Sequence, residues 1–156
     1  MKLMEEIFFS FTFGGETLSL TAALATMTKI QKEPVVETLA KQGAKLLAGL
    51  DQLIKRFEVQ DFISTCGHPS WSFFIIKDTT NYDTWQLKTL FLQEFFQRGI
   101  ITLGTHNMSY AHTDGDIEKI LKTYEEVLPI MATVVRNKEL DKYLLCKPLV
   151  PLFKVR

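Results

Sequence analysis

The sequence predicts an α+β fold, a small mixed or antiparallel sheet covered by helices. Three observations carry that prediction. Apolar residues recur at helical spacing in separate stretches. Two short segments in the middle of the chain, residues 59–66 and 70–77, read as strands, the second with its turn cluster Asp78–Asn81. The elements then follow as helix, helix, strand, strand, helix, strand, helix, an order that sets helices on a small sheet.

Each element has its own signal. Met1 to Glu6 reads as the end of a helix, and Ile7, Phe8, Phe9, Phe11 and Phe13 then crowd together with nothing before them to cover them. After Gly14-Gly15, Leu20, Ala23, Leu24, Met27 and Ile30 mark a first helix, whose Ala22-Ala23-Leu24-Ala25 run gives it a thin, approachable face. Glu33-Pro34 opens a second helix, proline costing nothing where an N–H has no partner. Its stripe is Val36, Leu39, Ala40, Gly43, Leu46, Leu47, Leu50, Ile54 and Phe57. Trp71-Ser72-Phe73-Phe74-Ile75-Ile76 is apolar on both faces, as a central or doubly covered strand is. Asp83 with Gln86 forms a capping-box pattern for a third helix that Gly99 closes. Ile100–Leu103 reads as a short strand. Thr113 with Asp116 caps a fourth helix, carried by Ile117, Ile120, Leu121, Tyr124, Leu128 and Met131, in which Pro129 is expected to make a kink.

Composition narrows the function. The 156 residues are 46% hydrophobic and 23% charged, too apolar for a disordered chain. Eighteen basic residues balance eighteen acidic ones, so bulk charge gives no support to a nucleic-acid partner. No apolar run reaches the roughly 18 residues of a membrane span. Glu5 and Glu6 stand where a signal peptide carries positive charge. These features point to a cytoplasmic protein. Cys66 and Cys146 show no metal-ligand spacing and are expected to be buried free thiols, and no metal site is expected.

The best place for chemistry is Phe11-Thr12-Phe13-Gly14-Gly15-Glu16. Glycines let N–H groups converge, a helix N-terminus adds partial positive charge, and Thr12 can add its hydroxyl. The pattern suits a phosphate, and equally suits a plain turn. Cys66 and His68 are read as loop residues rather than a nucleophile pair. His106 and His112 share no helical face with a third ligand, and His112 reads as structural. Glu125-Glu126, Asp114 and Asp116 read as solvated or helix-capping carboxylates. The basic segment from Arg136 to Arg156 reads as an irregular C-terminus packed on its own domain, with a docking arm as the other reading.

Phe11-Thr12-Phe13-Gly14-Gly15-Glu16, followed by Leu18-Ser19-Leu20 and the alanine-rich helix, resembles the segment after the cofactor lysine in class III aminotransferases. The branch it most resembles is that around glutamate-1-semialdehyde 2,1-aminomutase, with an aminotransferase acting on a sugar or another small carbonyl compound equally open. Ser109-Tyr110-Ala111-His112-Thr113 with Asp114-Gly115-Asp116-Ile117 is similar to a run near the C-terminus of that branch, and Phe95–Ile100 to the helix before it.

The resemblance implies part of a fold-type I pyridoxal-phosphate enzyme. Residues 1–32 would be the end of the large domain and a linking helix, 33–137 the C-terminal small domain, and 138–156 a tail that matches nothing. In that family the Thr matching Thr12 contacts the cofactor phosphate held by the other subunit of a dimer, so Thr12, Gly14 and Gly15 are the implied cofactor-binding residues. The family's lysine lies well upstream of that Thr, and Lys2 is too close to serve. The implied partners are the missing N-terminal large domain, a homodimer partner, and a small-molecule amino donor and acceptor. This piece alone is expected to be inactive. Glu16 departs from the Asn-Pro common in the family and is left out of the site. The rival expectation is a stand-alone, non-catalytic α+β protein-interaction module.

Overall fold

The computed structural model describes Glu6, Thr12 and residues 14–151. The aromatic cluster of Ile7, Phe8, Phe9, Phe11 and Phe13, the helix end before it, Lys2, and Leu152 and Phe153 of the tail lie outside the described residues. Contacts divide the chain into two compact units, Met1–Val36 and Glu37–Arg156.

The described part of the first unit is dominated by α1 (Thr17–Lys32). The hydroxyls of Thr21, Thr26 and Thr28 each donate to the carbonyl four residues back, so these side chains satisfy themselves on the helix. None of its residues is buried. Leu20, Leu24, Met27 and Ile30, the stripe read from the sequence, all stand exposed.

The second unit holds α2 (Val35–Arg56, whose first two residues belong to the first unit), β1 (Ile63–His68), β2 (Trp71–Ile76), α3 (Thr84–Gln97), β3 (Thr105–Asn107), α4 (Asp114–Asn137) and the short α5 (Leu140–Tyr143). The strands form an antiparallel sheet in the order β1-β2-β3, so β2 is central, as its two apolar faces require. The fold class is the expected one: α+β, an antiparallel sheet with helices on it. Ser72, Phe74 and Ile76 of β2 point to the helices. Trp71, Phe73 and Ile75 point away, with Trp71 and Phe73 rings 5.5 Å apart.

The core explains much of the unusual phenylalanine content. Phe74 of β2, Phe91 and Phe95 of α3 and Tyr124 of α4 form one aromatic cluster, with neighbouring centroids 4.4–5.1 Å apart. Leu50 and Ile54 of α2 and Val127, Leu128, Met131 and Val134 of α4 close around it. Gly43 of α2 is a point of closest approach. A Cβ there would stand 1.8 Å from the Pro69 carbonyl oxygen, so the β1–β2 turn can lie on α2 only over a glycine.

Two sequence expectations are corrected. The first strand begins at Ile63, not at residue 59. Glu58 takes a left-handed φ of 55° to end α2, and the Val59 carbonyl then accepts from both Phe62 and Ile63, a turn that buries Val59 and Phe62. Residues 100–103 are a loop, not a strand, with Ile101 92% exposed. Gly104, at φ 88°, turns the chain so that its carbonyl accepts from Phe74 N, and pairing is made by Thr105–Asn107 instead. Pro129 lies inside α4.

The segment after α5 is laid along α3. Gln93 donates to the Tyr143 carbonyl at 2.9 Å and accepts from Leu145 N at 2.7 Å, and Thr89 accepts from Leu149 N at 2.8 Å. As far as Leu149 this segment is packed on its own domain rather than free. A contiguous apolar helix face in water drives association. The chain is therefore expected to self-associate through α1 at micromolar concentration, and Leu24→Lys with Met27→Lys to weaken this. A clean monomer for the unmodified chain in multi-angle light scattering contradicts it.

Candidate functional site

Thr12 is an exposed turn residue, and Gly14 and Gly15 complete the turn into α1. Nothing stands within 4 Å of where a Cβ on Gly15 would sit, so the turn is open to solvent there and packing does not demand a glycine. Glu16 is the N-cap of α1. Its two carboxylate oxygens accept from Leu18 N at 2.8 Å and Ser19 N at 2.6 Å. The Ser19 hydroxyl, then the Ser19 and Leu18 N–H groups, hold this carboxyl below the usual carboxylate range.

Thr12 and Gly15 are exposed and Gly14 is half-buried. At the helix N-terminus, two of the free N–H groups are already spent on an internal anion.

The motif around His112 is a turn and a cap. Ser109 N donates to His112 Nδ1 at 3.1 Å, His112 N donates back to the Ser109 carbonyl at 3.0 Å, and Ala111 N donates to Ser109 Oγ. Thr113 and Asp116 then complete the capping box. Each polar residue of Ser-x-Ala-His-Thr-x-x-Asp is thus used in starting α4, in line with a structural His112. Glu125 pairs with Arg56, Glu126 with Arg98, and Asp114 with Lys45 across to α2.

His106 is different. It sits on β3 with 3% exposure, between Ser72 Oγ at 3.0 Å from Nδ1 and Tyr124 Oη at 2.7 Å from Nε2. Sequence reading missed this chain of three buried polar groups. The available signal was a serine inside the apolar run of β2. Burial pushes the imidazole down to about 4, and the Tyr124 hydroxyl is pushed up for the same reason.

Cys66 and Cys146 are both exposed, which corrects the expectation of buried thiols. Cys66 lies on the outward face of β1 opposite Phe73, and Cys146 lies beyond α5. His68 uses its Nδ1 to accept from Ser70 N in the hairpin turn. Among the described residues no three of His, Cys, Asp and Glu gather as a metal site, and no helix is long and apolar enough to cross a membrane.

Comparison with known proteins bears on the same segments. No family model matches the chain. It is 28% identical to glutamate-1-semialdehyde 2,1-aminomutase 2 of Anoxybacillus flavithermus, over 71% of this chain and 28% of that protein. The aminomutase of Desulfitobacterium hafniense is also 28% identical, over 75% of this chain and 29% of its own length. The chain is a relative of these aminomutases. An acetylornithine aminotransferase of Gloeobacter violaceus is 43% identical over a shorter stretch, 30% of this chain and 12% of that one. The chain spans under a third of the length of these curated relatives. A solved structure, the PLP internal aldimine form of the FumI protein of Sphingopyxis sp. MTA144, superposes with a TM-score of 0.67 at 23% identity, over 88% of this chain and 32% of that one. The fold is therefore shared with a stretch of that protein.

The buried histidine makes a pH prediction. Its folded value lies near 4 and its unfolded value near 6.5, so between those limits the unfolded chain holds the extra proton. Stability should rise with pH through that window and level off above it, by about 3 kcal/mol for this group. His106→Gln should flatten that rise while leaving the carboxylate contribution below it. Urea unfolding of both chains across pH 4–7 measures the difference, and parallel profiles refute it.

Proposed function

We propose that this chain is the C-terminal part of a pyridoxal-phosphate-dependent aminotransferase or aminomutase that works in the cytoplasm on a small carbonyl substrate. The observation that carries this is the joint match. Sequence likeness to aminomutases covers nearly three quarters of the chain, and fold likeness to a PLP protein covers more. The Thr12–Gly14–Gly15 resemblance to the family motif supports the same reading.

In this reading Thr12, with Gly14 and Gly15, meets the phosphate of the cofactor seated in the partner subunit of a homodimer. When bound, the cofactor supplies the electron sink for moving an amino group. Thr12 contributes a neutral O–H donor to a charged acceptor, and the turn contributes N–H groups. The missing large domain brings the lysine and the pyridine-binding aspartate. The amino donor and acceptor meet the assembled site, not this piece.

Thr12→Val in the complete enzyme tests the assignment. Valine keeps the branched shape and removes the donor. A hydrogen bond to a charged group contributes roughly 1.5–3 kcal/mol, so cofactor affinity should fall by about 10- to 100-fold, with folding and dimerisation unchanged. In a mixed dimer only the site built on the wild-type partner's lysine should weaken. Unchanged affinity in the Thr12→Val homodimer removes Thr12 from the site. Loss at the mutant subunit's own lysine keeps the contact and refutes the cross-subunit geometry.

The 156-residue chain alone should hold no specific covalent cofactor. Incubation with pyridoxal phosphate, borohydride reduction and mass spectrometry should show only scattered labelling of surface lysines. Stoichiometric reduction onto one lysine contradicts the assignment.

A further inference from the structure

The outward face of the sheet has the composition of an interior. Trp71, Phe73 and Ile75 of β2 run down its middle. Antiparallel partners share a face, so Ser64, Cys66 and His68 of β1 and Thr105 and Asn107 of β3 flank them. Helices α2, α3 and α4 pack on the opposite face, around Ile63 and Phe74. Trp71 is 56% exposed, and Phe73 and Ile75 are half-buried. None of these outward residues is Asp, Glu, Lys or Arg, in a chain that is 23% charged. A sheet face kept in water is polar, whereas aromatic residues with charge depleted around them mark the centre of an interface.

The size of the face selects what can cover it. Six residues along three strands span roughly 20 Å by 14 Å, on the order of 300 Å². A stable complex of free partners covers about 800 Å² on each of them, so this face alone holds neither a second copy nor a separate protein. Contacts between domains of one chain start at about 600 Å² in total, about 300 Å² a side, because a tether keeps the local concentration high. The aminomutase relatives have room for such a tethered occupant: the matched stretch is 28% of one and 29% of the other.

We propose that the outward face of the sheet, centred on Phe73, is the surface on which the large domain of the complete protein sits. This rests on the reading of the chain as the C-terminal part of a larger enzyme, and adds which face that part turns to the rest. β2 is apolar on both sides because both are covered in the complete protein.

Cys66 is a native reporter, exposed on this face and paired with Phe73. The test is iodoacetamide labelling, read by peptide mass spectrometry, on the 156-residue chain and on the complete protein at low micromolar concentration. Cys66 should label freely in the chain alone, and at least about tenfold more slowly in the complete protein, where the contact must open first. Trp71→Glu sets a charge at an exposed position, so circular dichroism of the chain should not change, while Cys66 of the complete protein should become reactive again. Equal Cys66 rates in the two unmodified proteins overturn the proposal. Slow labelling in the chain alone also overturns it, the cover then being a second copy if dilution relieves it and the chain itself if not. Protection that survives Trp71→Glu removes this face from the contact. Cofactor absorbance of the same complete protein reports the other reading. Protection without bound pyridoxal phosphate keeps the sheet contact and removes the cofactor assignment, and bound cofactor with a freely labelled Cys66 does the reverse.

Discussion

The buried chain from Ser72 through His106 to Tyr124 is the constraint on which the second unit depends. It joins the central strand, the edge strand and α4 through side chains alone, in a place that water does not reach. Buried polar groups are costly unless paired, so the three must be brought together or the core is penalised. β3 has three residues and few backbone bonds to hold it. His106 anchors it from inside the core. Once β3 is anchored, the Ser109–His112 turn and the cap of α4 follow within a few residues.

The aromatic cluster packs around the same tyrosine. Tyr124 offers its ring to Phe74 and Phe95 and its hydroxyl to His106, so one residue serves the apolar core and the polar chain together. The segment with Thr12 is organised differently. Glu16 caps the helix that follows it, and no residue of that helix is buried. Among the described residues, α1 thus shows only short-range hydrogen bonding where the second unit shows burial.

What was legible in the sequence was what short-range chemistry decides. Asp83 with Gln86 and Thr113 with Asp116 form both capping boxes as the spacing implied. The stripe Gly43, Leu46, Leu50 and Ile54 is the buried face of α2. Strand ends were not legible, because Val59, Phe62, Ile100 and Ile101 are as apolar as strand residues and only pairing with distant segments sorts them. Ser72 and His106 lie 34 residues apart, so no local pattern announces their bond. In the candidate site, Thr12 and the two glycines were readable as a motif. The capping role of Glu16 was not, since glutamate is not among the favoured N-cap residues.

Gly43 carries a further consequence. The separation between α2 and the hairpin turn is set by a hydrogen atom, with the Pro69 carbonyl where a side chain would begin. Any other amino acid would act as a wedge, lifting the turn from the helix and tilting the sheet that hangs from it. Gly67 in the hairpin is blocked in the same way, with a φ of 100° and the Trp71 carbonyl oxygen 2.7 Å from where its Cβ would stand. The hairpin thus meets α2 over one blank position and turns on another.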